Sequence, residues 1–451
     1  MTLPIDTRPD VYGQGCPHAS QSSAAQVATL RPAGRRREIP KLPQWDSSAA
    51  LLADPYRFIG NACRAAGSDV VQGRILLQRT LCMSGAAAAE LFYDAGRLQR
   101  EGAAPEPLQA TLFGKGGVQG LDGSDHLHRK ALFIAATGDE QVQALLRIAR
   151  ARWPHSIRQW AGHLPISLYT VAQHWLMESA CQWLGIPLPP ADIPRRTQQV
   201  SALFDSAASG LWRHVHARRA RQRTEQWLQK LIDTERSGEA CFTPGSSAQA
   251  VAWFRATDGA LLPSRVAAVE LLNLLRPTVA VSVFVVFCAH ALETAPLSRE
   301  IVREGKDHRY RAAFVQEVRR MYPFFPTVAA RVREDFDWAG YAFPRGYRAM
   351  LDLYGTNHDP RCWNQPNDFK PERFFARVPS PFEFIPQGGA DRVTQHRCPG
   401  ESVASGLMDL VLELLMNQTR YRLPPQDLAL DLQRLPALPH DGLMLDQLKA
   451  L

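Results

Sequence analysis

The chain has no two cysteines at CxxC spacing and no Cys/His cluster at the intervals of a zinc site. Its eight cysteines are scattered at Cys16, Cys63, Cys82, Cys181, Cys241, Cys288, Cys362 and Cys398. Neither a disulfide scaffold nor a zinc module fits, and seven of them read as ordinary thiols. No charged-then-apolar stretch with a small-residue cleavage site opens the sequence. The longest apolar run, Thr278 to Leu292, contains His290 and is short for a bilayer span. These absences predict a soluble, cytoplasmic protein without stable membrane insertion. Long blocks of like charge are missing as well: the net charge of +8 is dispersed, with local basic runs at Arg35-Arg36-Arg37 and from His216 to Arg223. The second run falls in an amphipathic helical pattern, where a solvated face is expected and attraction of anionic substrates is the alternative. No nucleic-acid partner is expected.

What is present is an ordinary globular composition, with 45% hydrophobic residues among 451 and no internal repeat. Residues 1–45 are rich in Ser, Ala, Gln and Arg and end on the Pro-spaced IPKLP, which predicts a disordered N-terminal extension. Residues 46–451 read as one helix-rich domain. Helical periodicity marks SSAALLADPYRFIGNACRAA, HLHRKALFIAA, VAAVELLNLLRPTVAVSVFVVFCAHAL and SVASGLMDLVLELLMNQ, while short alternation in DVVQGRILLQRTLCMSG and RVREDFDWAGYAFPRGYRAMLDLYG predicts a small β-sheet region. The expected fold class is mainly α.

The segment FEFIPQGGADRVTQHRCPGESVASGLMDLVLELL is a Gly-rich loop running into an apolar helix, with Cys398 just before the helix start. A thiol there gains from the helix dipole and from unpaired N–H groups, which favour the thiolate. A small apolar cysteine at a helix start is the alternative. Upstream, Glu317 and Arg320 in EVRR share a helix face, and PERF supplies Arg373. An ExxR pair, then PERF, then a Gly-rich Cys loop, in this order, resembles the cytochrome P-450 superfamily. That resemblance implies a haem-thiolate domain with Cys398 as the iron ligand, haem b as cofactor, and a buried Glu317–Arg320–Arg373 cluster behind the haem loop. The family loop usually reads FxxGxRxCxG. Here Phe384, Gly388, Gly389, His396, Cys398 and Gly400 give a stretched version.

Oxygen-activating members of that superfamily carry an acid–alcohol pair in a long distal helix. The matching helix here lacks it and holds Arg276 and Pro277 inside an apolar run. The proline removes a backbone hydrogen bond and opens space beside the helix. The arginine either pairs with an unseen carboxylate, reaches water, or clamps a substrate carboxylate. The Arg-Pro pair, the loop ending HRCPGE and the segment TLFGKGGVQGLDGSDHLHRKALF resemble the bacterial fatty-acid peroxygenases. This implies hydroxylation of long-chain fatty acids at the α or β carbon with hydrogen peroxide as co-substrate and no redox partner, the carboxylate on Arg276 serving as general acid–base.

Carried over residue by residue, Phe113 and Gln119 line the distal pocket. Arg100, His126, Lys130, Gln387 and His396 lie on the cofactor, and Phe324 and Phe325 wall the substrate channel. Core packing is the alternative for the three phenylalanines, and a polar helix face for His126 and Lys130. Gln119, where decarboxylating relatives have His, implies hydroxylation with minor decarboxylation to terminal alkenes. A hydroperoxide lyase or allene oxide synthase, a reductase-dependent monooxygenase, and a non-catalytic haem sensor or lipid carrier are the competing readings.

Overall fold

The computed structural model describes residues 37–162, 165–206, 211–305 and 308–451. Of the expected extension, positions 1–36 lie outside these residues. Positions 37–44 are part of the folded body: the Arg37 N–H donates to the Gly340 carbonyl at 2.9 Å and the Leu42 N–H to that of Gln72 at 2.8 Å. Ile39 and Leu42 are buried. Bridges from Arg37 to Tyr341 and from Lys41 to Gln72 lay this Pro-spaced segment along the sheet, with Ile39 packed in the cluster of Val70 and Leu81 and Leu42 in that of Val71 and Ile75.

Eight helices position the site: α1 (Gly123–Ala136), α2 (Asp139–Trp160), α3 (Leu168–Leu184), α4 (Ile193–Asp205), α5 (Leu211–Arg236), α6 (Ser264–Thr294), α7 (His308–Met321) and α8 (Glu401–Asn417). The long α6 is the axis of the core and packs on α3, α5 and α8. It is apolar around its whole circumference, which only a helix enclosed by others tolerates. By length and composition it is apolar enough to cross a membrane, but 94% of the qualifying window is buried within the protein. The apolar stretch is longer than the run from Thr278 to Leu292: it continues through Pro277 towards the helix start and embeds Glu270, Asn273 and Arg276.

A five-stranded sheet flanks the helices. Its strands are β1 (Val70–Ile75), β2 (Gln78–Met83), β3 (Leu98–Gln99), β4 (Thr327–Val332) and β5 (Arg348–Asp352), in the order β1-β2-β5-β4-β3. The β2–β5 pairing is parallel and the others antiparallel. The helical pattern at 47–66 divides into Ser48–Ala53 and Phe58–Ala66. Asp54 precedes Pro55 and is pushed out of the helical region, to φ −142° and ψ 69°.

One expectation from charge is corrected. Arg221, inside the basic run 216–223, is 2% exposed. Its Nη1 donates to the carbonyls of Thr111 and Leu112 at 3.2 and 2.9 Å, and its Nε to Glu225 at 2.6 Å. The helix face that carries it turns inward beneath the turn Gln109–Phe113, so the run is not wholly solvated.

Candidate active site

Cys398 stands at the wall of a cavity enclosed by α1, α6, the 109–120 segment, the Pro323–Val328 stretch and its own loop. Two features fix the loop: the Cys398 N–H donates to the Gln387 carbonyl at 3.1 Å, and α8 begins three residues later. Burial pushes the thiol above its usual value and Glu401 adds to this, while the Gly400 N–H, Arg319 and Lys130 oppose it. The Gly400 N–H at the helix start thus favours the thiolate, in the direction expected from sequence, but burial outweighs it.

Behind the loop every charge has a partner. Glu317, fully buried, accepts from Arg320 Nε and Nη2 at 2.8 Å each, from Arg373 Nε at 3.0 Å and from the Lys370 N–H at 2.9 Å. Arg320 Nη1 goes on to the carbonyls of Asn357 and Pro366. Two further pairs, unnoticed in the sequence, join the ligand loop to the helices. Arg397 grips Glu401 at 2.8 and 3.0 Å, and Arg319 lies 3.3 Å from the same carboxylate while donating to Gln387 Oε1 at 3.1 Å.

The opposite wall differs. Arg276, 6% exposed, lines the cavity with Pro277, Thr278, Asn273 and Gln119. Its Nη1 has no hydrogen-bond partner. Burial pulls its guanidinium down to about 9, with Arg221 contributing. Neither a paired carboxylate nor an escape to water, the two alternatives open from sequence, is found for it among the described residues. No Asp or Glu lines the cavity among the described residues. Thr278, the one hydroxyl on α6 that reaches the wall, donates to the Leu274 carbonyl at 2.9 Å and so is spent on its own helix. Phe113, Phe324 and Phe325 also line the cavity, joined by Phe284, whose ring lies 4.6 Å from that of Phe324.

At one end stand His126, Lys130, His396 and Arg397. The His126 and His396 rings stack at 3.8 Å. Burial pulls these imidazoles to about 3 and about 4, and Lys130 to about 8. Lys130 donates to the carbonyls of Gln395 and Arg397. Asp122 holds this end together: it accepts the N–H groups of Arg100 and Glu101 and lies 3.6 Å from His396 Nε2. Burial works to raise the Asp122 carboxyl, but His396 and those N–H groups outweigh it and hold it at about 2. Arg100 is set back from the wall: its Nη1 donates to the Ala329 carbonyl at 2.7 Å and its guanidinium lies over Phe92.

The comparisons with known proteins bear on this geometry. Residues 304–446 match the family model of Cytochrome P450. Among solved structures, a variant of Cytochrome P450SP alpha (CYP152B1) is 45% identical, covers 90% of this chain and 99% of its own, and superposes with a TM-score of 0.88. Cytochrome P450EX alpha (CYP152N1), solved with myristic acid, is 42% identical over 92% of this chain and all of its own, with a TM-score of 0.89.

The chain belongs to the cytochrome P450 superfamily, within the CYP152 family.

A variant of cytochrome P450 OleT in complex with arachidonic acid is more distant, at 31% identity over 92% of this chain and 99% of its own, with a TM-score of 0.88. The P450 family carries haem, and the residues present fit it. One thiol faces the cavity, and four cationic or imidazole-bearing side chains of α1 and the Cys loop line it as well, a donor set suited to the two carboxylates that haem carries. Cys398 would hold the haem iron through its thiolate, and His126, Lys130 and His396, with Arg100 set further back, would offer donors to the haem carboxylates. Gln387 would contribute chiefly through the loop, since its Oε1 is taken by Arg319 and its carbonyl by Cys398.

Sequence reasoning missed Asn273, Glu270 and Arg129 altogether. The signal was there: Glu270, Asn273 and Arg276 recur every third residue and stripe one side of an apolar helix. Asp122 gave no such sign, because it acts from a loop on partners far apart in sequence.

Proposed function

We propose that this P450 hydroxylates long-chain fatty acids at the α or β carbon with hydrogen peroxide and without a redox partner, the substrate carboxylate resting on Arg276 and serving as general acid–base. The observation that carries the reading is the buried guanidinium of Arg276, whose Nη1 has no hydrogen-bond partner, in a cavity that no Asp or Glu lines among the described residues. An isolated buried charge is costly, and Arg221 makes it more so. A carboxylate that meets it in bidentate fashion removes that cost and replaces the acid the helix lacks. Support comes also from the relatives solved with myristic and arachidonic acids.

In the overall reaction R–CH2–COOH and H2O2 give R–CH(OH)–COOH and H2O: the carbon is oxidised and the O–O bond reduced. Haem on Cys398 supplies O–O cleavage and C–H oxidation, aided by electron donation from the thiolate. The chain's own side chains do the rest. Arg276 anchors the carboxylate and so fixes the first carbons of the acyl chain. The anchored carboxylate takes a proton from the peroxide and returns it to the departing oxygen. Phe113, Phe284, Phe324 and Phe325 keep the surroundings apolar. Gln119, an amide, cannot act as a proton donor as an imidazolium would, which favours hydroxylation over decarboxylation to alkenes.

Mass spectrometry of products from purified holoprotein, myristate and peroxide tests the reading. Hydroxymyristate without NAD(P)H or reductase is expected. Product formed only with a reductase, or only from a lipid hydroperoxide, would replace it with one of the competing enzyme classes.

A further inference from the structure

The three polar side chains on the inner stripe of α6 form a hydrogen-bond chain whose direction is fixed by chemistry. Glu270, fully buried, accepts from Arg129 Nη1 at 2.7 Å, from Asn273 Nδ2 at 3.0 Å and from the Val118 N–H. A carboxylate in an ion pair only accepts, so Asn273 must turn its amide nitrogen towards it. The second N–H of that nitrogen goes to Gln119 Oε1 at 3.1 Å. Gln119 must therefore offer its oxygen to Asn273, which leaves its Nε2 donors uncommitted to this network. Asn273 Oδ1 is likewise left over: the side chain is 5% exposed, and that oxygen has no partner. Both residues line the cavity that holds Cys398 and Arg276. A buried ion pair thus orders two amides of the cavity wall, one helical turn before the carboxylate anchor: Asn273 with an unmet acceptor and Gln119 with uncommitted donors.

We propose that Asn273 Oδ1 and Gln119 Nε2 form the binding site for the peroxide oxidant, with Asn273 also positioning Gln119. The assignment rests on the reading above that peroxide is the oxidant. The acceptor decides which ligand belongs there. A lone pair on Oδ1 repels a carboxylate oxygen, so the fatty acid's head group is turned away from Asn273 and towards Arg276. Hydrogen peroxide carries a proton on each oxygen and lone pairs on both, and so can satisfy an acceptor and a donor at once. The two wall positions divide the reactants by charge: the anion goes to the guanidinium and the neutral hydroperoxide to the amides. Gly117 closes the pair from behind. A Cβ there would lie 2.9 Å from Asn273 Nδ2 and 3.1 Å from Gln119 Oε1, so Gly117→Ala crowds the same contact while both amide side chains are retained.

The test uses full-length, haem-loaded Asn273→Ala and Gly117→Ala, with haem content checked first. At saturating myristate, KM for hydrogen peroxide should rise roughly five- to tenfold in Asn273→Ala, as loss of a neutral hydrogen bond predicts, and in the same direction in Gly117→Ala. The dissociation constant for myristate, read by optical titration without turnover, should stay within about twofold of wild type, an outcome that general damage to the fold would not give. An unchanged peroxide KM in active variants overturns the assignment, as does an equal loss of affinity for both ligands. If Asn273→Ala fails to retain haem, Gly117→Ala carries the comparison by itself. A wild-type enzyme inert with peroxide overturns the functional reading and this site together, whereas an active wild type with insensitive variants overturns the site alone.

Discussion

The two walls of the cavity are built on opposite electrostatic principles. On the Cys398 side the charges are paired: Glu317 holds Arg320 and Arg373, and Glu401 holds Arg397 and Arg319, although Arg319 Nη2 meets it at 3.3 Å as an ion pair without a hydrogen bond. On the α6 side the polar groups that face the cavity are deliberately short of partners, with Arg276 Nη1 and Asn273 Oδ1 both unmet. Both sets are buried, so burial alone does not separate scaffold from chemistry. What separates them is completeness. A satisfied buried network holds a loop in one shape, while an unsatisfied one stores a binding preference that a ligand of the right charge releases.

The contrast can be broken by mutation, and the expected effects are graded. Cys398→Ala should abolish the red-shifted Soret band of the reduced carbonyl complex along with turnover; persistence of the band would mean another ligand. Glu317→Ala strands two buried guanidiniums and should destabilise the protein by about 3–5 kcal/mol in urea unfolding of the holoprotein. Arg276→Ala should behave in the opposite way. The unfolding midpoint should hold or rise, because an uncompensated charge is removed, while affinity for long-chain acids falls by roughly ten- to hundredfold, the worth of a charge-assisted pair. A matching loss of stability in both variants would erase the distinction between the walls.

Titration sharpens the same point. Arg276 is held down to about 9 in the ligand-free protein. Burial and the neighbouring Arg221 weaken its hold on the proton, so myristate binding should be intact at neutral pH and weaken, if at all, only towards alkaline pH. A bound carboxylate favours the charged form and moves the loss to higher pH as ligand concentration increases. Optical titrations across pH 7 to about 10 would read this shift. The smallest expected effect is in product ratio: Gln119→His should raise the alkene fraction a few-fold over wild type, measured by gas chromatography, with an imidazole now able to donate a proton.

Much of this was legible in the sequence because it is encoded locally. The ExxR pair, the PERF arginine and the Cys loop each reveal themselves within a few residues, and their order along the chain identifies the fold. Arg276 was legible for a related reason, as a charge embedded in an apolar helix. What could not be read were partners supplied by distant segments. Arg221 sits in a basic run that looks solvated until the turn at 109–113 is seen lying over it. Arg100 reads as a cofactor contact from resemblance, and only the structure shows its Nη1 on the Ala329 carbonyl and its guanidinium over Phe92. Gln119 reads as a lone pocket residue, and only the structure shows that its orientation is set by Asn273 and ultimately by a Glu270–Arg129 pair.

The central claim is that a buried cation on α6 recruits the acid that the helix itself does not provide. A crystal structure of the haem-loaded protein with a bound long-chain fatty acid tests it most directly. The account predicts both carboxylate oxygens against the guanidinium of Arg276, with Nη1 engaged. A carboxyl end lying elsewhere, with the guanidinium still unpartnered, would contradict it.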